Sequence, residues 1–204
     1  MACDLAQEML REKPIDRRFL KSAQDVWAAS FGMEDPAKEA AFVVRMKKDK
    51  RLKQTDSFNG LPLFKAGHTI FCEDHKGLVY FVKYIDVHFA AVPGRHIIQI
   101  AVWRRTAAPP GLARYIFWEH LFPIYGAIMT DAQQTAHGGM FWADRIQEAW
   151  DRNLFVYRVN LVQHSHTRLV HIKEYYQWAN TVQGNKIGDQ QEILLITDKP
   201  PMLG

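Results

Sequence analysis

Cysteine is nearly absent: the 204 residues hold two, Cys3 and Cys72, far apart and in no CxxC pair. That excludes a disulfide framework and a cysteine-rich zinc module. Cys72, inside the run Thr69-Ile70-Phe71-Cys72, reads as a small buried hydrophobe. No stretch approaches the ~18 consecutive apolar residues of a membrane span. The first thirteen residues mix acidic and basic side chains around no apolar centre, so they read as a tail or helical extension rather than a signal peptide. We therefore expect a soluble, cytoplasmic protein with no membrane partner. Internal repeats and low-complexity tracts are missing, and so are several fingerprints. No Gly-x-Ser-x-Gly elbow supports a Ser/His/Asp hydrolase. No P-loop or dinucleotide-binding glycine motif is present. No zinc-finger spacing, RNP-type strand or basic zipper supplies a specific nucleic-acid module.

What is present argues for a packed fold. Hydrophobic residues make up 48% of the chain, and 25 aromatics speak against disorder. The length points to one domain over residues 1–204. A chain of this size buries roughly 70% of its unfolded surface without metal or disulfide staples. The net charge of +4 is local, because Lys38 to Lys53 carries seven basic and two acidic residues. Such a run attracts an anionic partner, and it also fits the solvated face of a helix.

Apolar spacing predicts helices from Pro14 to Ser30 and from Asp35-Pro36 to about Lys53, with Phe42 and Met46 inward. Thr55 to Gly67, with Asn59-Gly60 and Pro62, reads as a loop. Strands are expected at 68–73, 78–89 and 95–105, the last two joined at Pro93-Gly94. If that turn is tight, Tyr84, Asp86, His88, Gln99 and Trp103 share one face of the hairpin. After Ala107-Ala108-Pro109-Pro110-Gly111 comes an amphipathic helix with Leu112, Ile116, Phe117, His120 and Leu121 on one face, stopped by Pro123. A buried strand at 124–130, a helix at 135–151, a strand at 154–161, a short helix at 172–178 and a strand at 192–197 complete the order. His164, His166 and His171 have metal-compatible spacing, but no Cys or nearby carboxylate completes a ligand set, so no metal site is expected. The meander followed by crossovers predicts an α/β (α+β) domain with one mixed, mostly antiparallel central sheet flanked by helices.

That order of elements, over about residues 14–200, resembles the GNAT family of N-acetyltransferases. The string Thr130-Asp131-Ala132-Gln133-Gln134-Thr135, with Gly139, Phe141 and Trp142 after it, is similar to uncharacterised phage and prophage proteins. The GNAT resemblance implies acetyl-coenzyme A as cofactor and acetyl transfer to an amine. It implies that the strand 97–103 lends its backbone to the pantetheine arm and that the following loop cradles the pyrophosphate. The loop here reads Ala108-Pro109-Pro110-Gly111-Leu112-Ala113: the Gly-x-Ala half matches the family pattern, while its leading Arg or Gln is absent. The implied cofactor residues are Ile100, Val102, Trp103, Arg104, Arg105, Gly111, Leu112, Ala113 and Arg114. An amine must lose a proton before it attacks a thioester, so Asp86 and His88 are candidate bases. The resemblance also implies a tyrosine that protonates the leaving thiolate, for which Tyr157 is the candidate. Gln99, Asp131, Gln133, Gln134 and Thr135 are expected to meet substrate or partner, Thr135 doubling as a helix cap. The alternative is a catalytically inactive GNAT-like module that binds a macromolecular partner.

Overall fold

The computed structural model describes residues 36–87, 96–105, 108–130, 136–160, 165–183 and 192–201. The helix expected at 14–30 lies outside them. Helix α1 (Pro36–Lys47) opens on its proline, where a missing N–H costs nothing. Phe42 and Val43 are buried, and Met46 packs beside them. The helix stops at Lys47, six residues before the expected end. Asp49 stops it, accepting the Arg51 backbone N–H (2.9 Å) and the Arg51 guanidinium (2.8 and 3.0 Å). Local side-chain bonds of this kind compete with the helical ladder. The basic run is therefore a helix end, a turn and a strand start. Lys47 pairs with Glu73 at 2.6 Å and Arg51 with Asp49. Lys38, Lys48, Lys50 and Lys53 are exposed and make no ion pair among the described residues. Reversing Lys48, Lys50 and Lys53 to glutamate should move stability by less than about 1 kcal/mol in urea titration.

The expected loop at 55–67 is instead a hairpin of β1 (Lys53–Phe58) and β2 (Leu61–Ala66). Asn59 and Gly60 have φ of 50° and 80°, the two left-handed residues of a type I′ turn. Pro62 pairs with Ser57 of β1, whereas the ladder from β2 to β3 (Thr69–Asp74) starts only at Leu63. The proline thus removes no donor from the second ladder. A bulge between Gln54 and Asp56 bends β1.

Strands β3, β4 (Gly77–Val87) and β5 (His96–Arg104) lie close to their expected bounds. The Pro93-Gly94 turn is outside the described residues. The Arg105 N–H bonds the Val79 carbonyl at 2.9 Å, whereas a two-residue turn would set Arg105 opposite Val82. At that end the register is off by three residues.

The helix after the prolines does not stop at Pro123. It runs through α2 (Leu112–Tyr115), a π-helical stretch (Ile116–Leu121) and α3 (Phe122–Tyr125). Pro123 has no N–H to give Glu119 four residues back, and the change of hydrogen-bonding pattern falls just before it. Then follow β6 (Ala127–Met129), α4 (Ala136–Asp151), β7 (Phe155–Asn160), β8 (Ser165–Arg168), α5 (Ile172–Gln183) and β9 (Glu192–Thr197). Helix α5 is longer than expected. The strands pair in the order β1-β2-β3-β4-β5-β6-β9-β7-β8, with β5 and β6 parallel. Neighbouring pairs such as β3–β4 and β7–β9 are antiparallel. This is the mixed, mostly antiparallel α+β sheet that the sequence predicts.

Contacts divide the chain into two compact units. Of the described residues, the first comprises those within 36–85 and 99–121, and the second those within 86–98 and 122–201. The first is built on Phe42, Phe71 and Phe81, the Phe42 ring stacking on Phe81 at 4.7 Å and meeting Phe71 edge-on at 6.3 Å. Cys72 is buried there as expected. Burial, with the charge of Asp74, pushes its thiol up to about 12. In a Cys3→Ser variant, a thiol reagent at pH 8 should label Cys72 only after unfolding.

The second unit sets β9 between β6 and β7, so Ile193–Ile196 is buried throughout, as a continuous apolar run requires. Three of its aromatic side chains have satisfied polar ends. Tyr175 donates to the Gly139 carbonyl (2.8 Å), Trp178 to Glu192 (3.0 Å) and Trp150 to the Leu169 carbonyl (3.3 Å). Among the described residues no helix is long and apolar enough to cross a membrane.

Candidate functional site

Most of the expected cofactor residues fall in the first unit, at the end of β5 and the start of α2. The connection is organised by two turns: Ala108 N–H bonds the Arg105 carbonyl (3.0 Å), and Leu112 N–H bonds the Pro109 carbonyl (3.4 Å). Gly111 then caps the helix with φ 82°, a left-handed value that disfavours any residue with a Cβ. A Cβ there would meet only the Phe58 ring, at 3.7 Å, so conformation rather than space demands glycine. No side chain caps this helix. Its first-turn amides therefore lack the usual side-chain acceptor. Leu112 is fully buried and anchors the turn, Ala113 is half-buried, and Arg114 is exposed.

The flanking arginines differ. Arg104 is exposed and makes no ion pair among the described residues. Arg105 is committed: its guanidinium donates to both oxygens of Asp74 at 3.0 Å and reaches Glu39 at 3.3 Å. Glu39 also accepts the Leu78 N–H at 2.6 Å. Burial raises the Asp74 carboxyl, but the Lys76 N–H and the Arg105 guanidinium outweigh it and the net shift is downward. A carboxylate depressed by folding stabilises above its unfolded value and loses that contribution as pH falls through the folded one. Stability should therefore decline below about pH 4, measured by urea titration across pH 6 to 3.

Val102 is 47% exposed on β5. Gln99, Ile100 and Trp103 belong to the same strand. Asp86 is exposed near the end of β4 and, with Tyr157, belongs to the second unit. Tyr157 is buried in β7, its ring stacked on Phe155 at 6.4 Å and edge-on to His166 at 5.4 Å. His88, Asp131, Gln133, Gln134 and Thr135 lie outside the described residues, as does His164. His171 Nδ1 accepts the Lys173 N–H. No group of three or more potential metal ligands occurs among the described residues.

Sequence reasoning missed a second cluster in the first unit. Tyr115 donates its hydroxyl to Asp56 Oδ2 at 2.5 Å, and His120 Nε2 lies 3.3 Å from the same oxygen. Ser57 N–H bonds Asp56 Oδ1 at 2.7 Å. The Tyr115 ring stands 5.0 Å from Phe58 and 5.3 Å from His120. Donation to Asp56, then burial and the charges of Asp56 and Glu119, push the Tyr115 phenol up to about 12. The hydrogen bonds from Tyr115 and Ser57 hold the Asp56 carboxyl below the usual range. Tyr115 and His120 are five residues apart, which in an α-helix leaves them about 140° apart around the axis. The wider π turn, closed by i→i+5 bonds, brings them to one side. Asp56 in turn sits beside the bulge of β1. Neither irregularity has a simple sequence signature. No protein-family model, no curated protein and no solved structure matches this chain.

Proposed function

We propose that the protein is an acyl-coenzyme A-dependent N-acyltransferase, taking acetyl-coenzyme A and an amine, and working in the cytoplasm. The observation that carries this reading is the junction after β5: a left-handed Gly111 opening an uncapped helix, with the unpaired Arg104 at the strand end. Backbone amides at a helix start, together with a guanidinium, suit a pyrophosphate. In this reading the amides of Gly111 and Ala113 and the Arg104 guanidinium hold that group, while Arg105 braces the strand end through Asp74 and Glu39. Acetyl-coenzyme A, when bound, would supply an acyl group activated as a thioester, with coenzyme A leaving as the free thiol. The amine must give up a proton before it attacks the thioester.

A second reading, a non-catalytic module that binds a macromolecule, is favoured by different features. Pro109 and Pro110 remove two amide donors from the loop, and Lys38, Lys48, Lys50 and Lys53 offer unpaired positive charge to an acidic partner. Release of free thiol from acetyl-coenzyme A, assayed with a panel of primary amines, separates the two. Amine-dependent release that Gly111→Val lowers at least tenfold supports the enzyme. Binding of coenzyme A without release supports the module.

A further inference from the structure

We propose that Asp56, Phe58, Tyr115, Glu119 and His120 form a recognition site for an alkylammonium group. The first evidence is a charge imbalance within the first unit. Of its six described carboxylates, four pair with a lysine or arginine: Glu39 and Asp74 meet Arg105, Asp49 meets Arg51, and Glu73 meets Lys47. The other two, Asp56 and Glu119, have no lysine or arginine partner. Asp56 accepts the Tyr115 hydroxyl, and Glu119 follows Tyr115 by four residues on the same helical run, its charge adding to the rise of that phenol. In a unit rich in lysine, these two carboxylates are left without a lysine or arginine, and Asp56 meets only the His120 imidazole.

The second evidence is what surrounds that charge. Phe58, Tyr115 and His120 supply three rings in sequence, with neighbouring centroids 5.0 and 5.3 Å apart. Aromatic faces beside a carboxylate are the combination that binds organic cations, because the ring quadrupole and the charge attract the same group. Asp56 remains open to a ligand: its side chain is 43% exposed. Tyr115 O–H and Ser57 N–H occupy part of its acceptor capacity, and a carboxylate has about four lone-pair positions. The Tyr115 hydroxyl fixes the carboxylate's direction, and the β1 bulge and the π turn bring the parts together. The β1 bulge and the π turn thus serve one cluster. The site stands whether or not the chain transfers acyl groups.

The test uses the full chain at pH 8 with n-butylammonium and tetramethylammonium chlorides, sodium chloride holding ionic strength constant. Aromatic carbon NMR should show saturable shifts at the Tyr115 and Phe58 rings, with Kd in the millimolar range expected of one cation–π site beside a carboxylate, about 1–10 mM. Asp56→Asn should raise Kd about tenfold and Glu119→Gln about threefold. Glu119→Gln changes only an exposed side chain, so it keeps the test valid if Asp56→Asn fails to fold. A glycine-flanked lysine peptide distinguishes the source of the group: much tighter binding than butylammonium assigns a lysine side chain, and equal or weaker binding assigns a free amine. No saturable shift at about 100 mM, or identical Kd in wild type and in every variant that folds, overturns the proposal.

Discussion

Phe42→Ala should destabilise the protein by about 3–5 kcal/mol, the usual cost of removing a buried phenylalanine. Phe42 is 8% exposed and stands at the centre of its cluster, stacked on Phe81 and edge-on to Phe71. It is also the residue through which α1 reaches the sheet of the first unit, alongside Val43 and the half-buried Met46. Alanine leaves a void where two rings lose a partner, and strand-borne rings have little freedom to close it. Phe42→Leu should cost less than half as much, because most of the volume is kept. Urea titrations of the three proteins check this. A loss below about 1 kcal/mol for the alanine variant would mean that α1 is not an integral part of the unit.

Arg105→Met should cost about 2–3 kcal/mol, less than a fully buried charge network because each partner keeps some exposure. Methionine replaces the stem and removes the guanidinium, leaving Asp74 and Glu39 close together without their counter-charge. The deficit should shrink at about pH 4, where carboxylates begin to protonate and no longer need a cation. The wild type moves the other way, losing stability as Asp74 protonates. Measuring both proteins at pH 7 and pH 4 tests the sign. A deficit unchanged by pH would mean that the methionine variant fails through packing.

Much of the strand order was legible because period-2 runs announce themselves. Tyr157 and its neighbours alternate cleanly, and Glu192 to Thr197 reads as a final strand. The β1–β2 hairpin was hidden because its first strand is polar, and Pro62 suggested a loop although the Asn59-Gly60 dipeptide marked the turn. Helix α1 was overextended because lysine favours helix and nothing in local propensity weighs what Asp49 does to Arg51. Pro123 marked the right place for the wrong event, a change of helical pattern instead of a stop. At the candidate site, Gly111 was legible from its place between strand and helix. The commitment of Arg105 was not, because Glu39 and Asp74 are distant in sequence. The Asp56 cluster escaped for the same reason, compounded by a bulge and a π turn that periodicity does not encode.

The claim that Gly111 and its helix hold a coenzyme A pyrophosphate is tested most directly by calorimetric titration of the full chain with acetyl-coenzyme A, beside a Gly111→Val variant. A β-branched residue at φ 82° is strained by about 1–3 kcal/mol, enough to rebuild the turn. The account predicts one-to-one binding by the wild type and at least tenfold weaker binding by a folded Gly111→Val chain. No heat at millimolar acetyl-coenzyme A, or equal affinity in the two proteins, would contradict it.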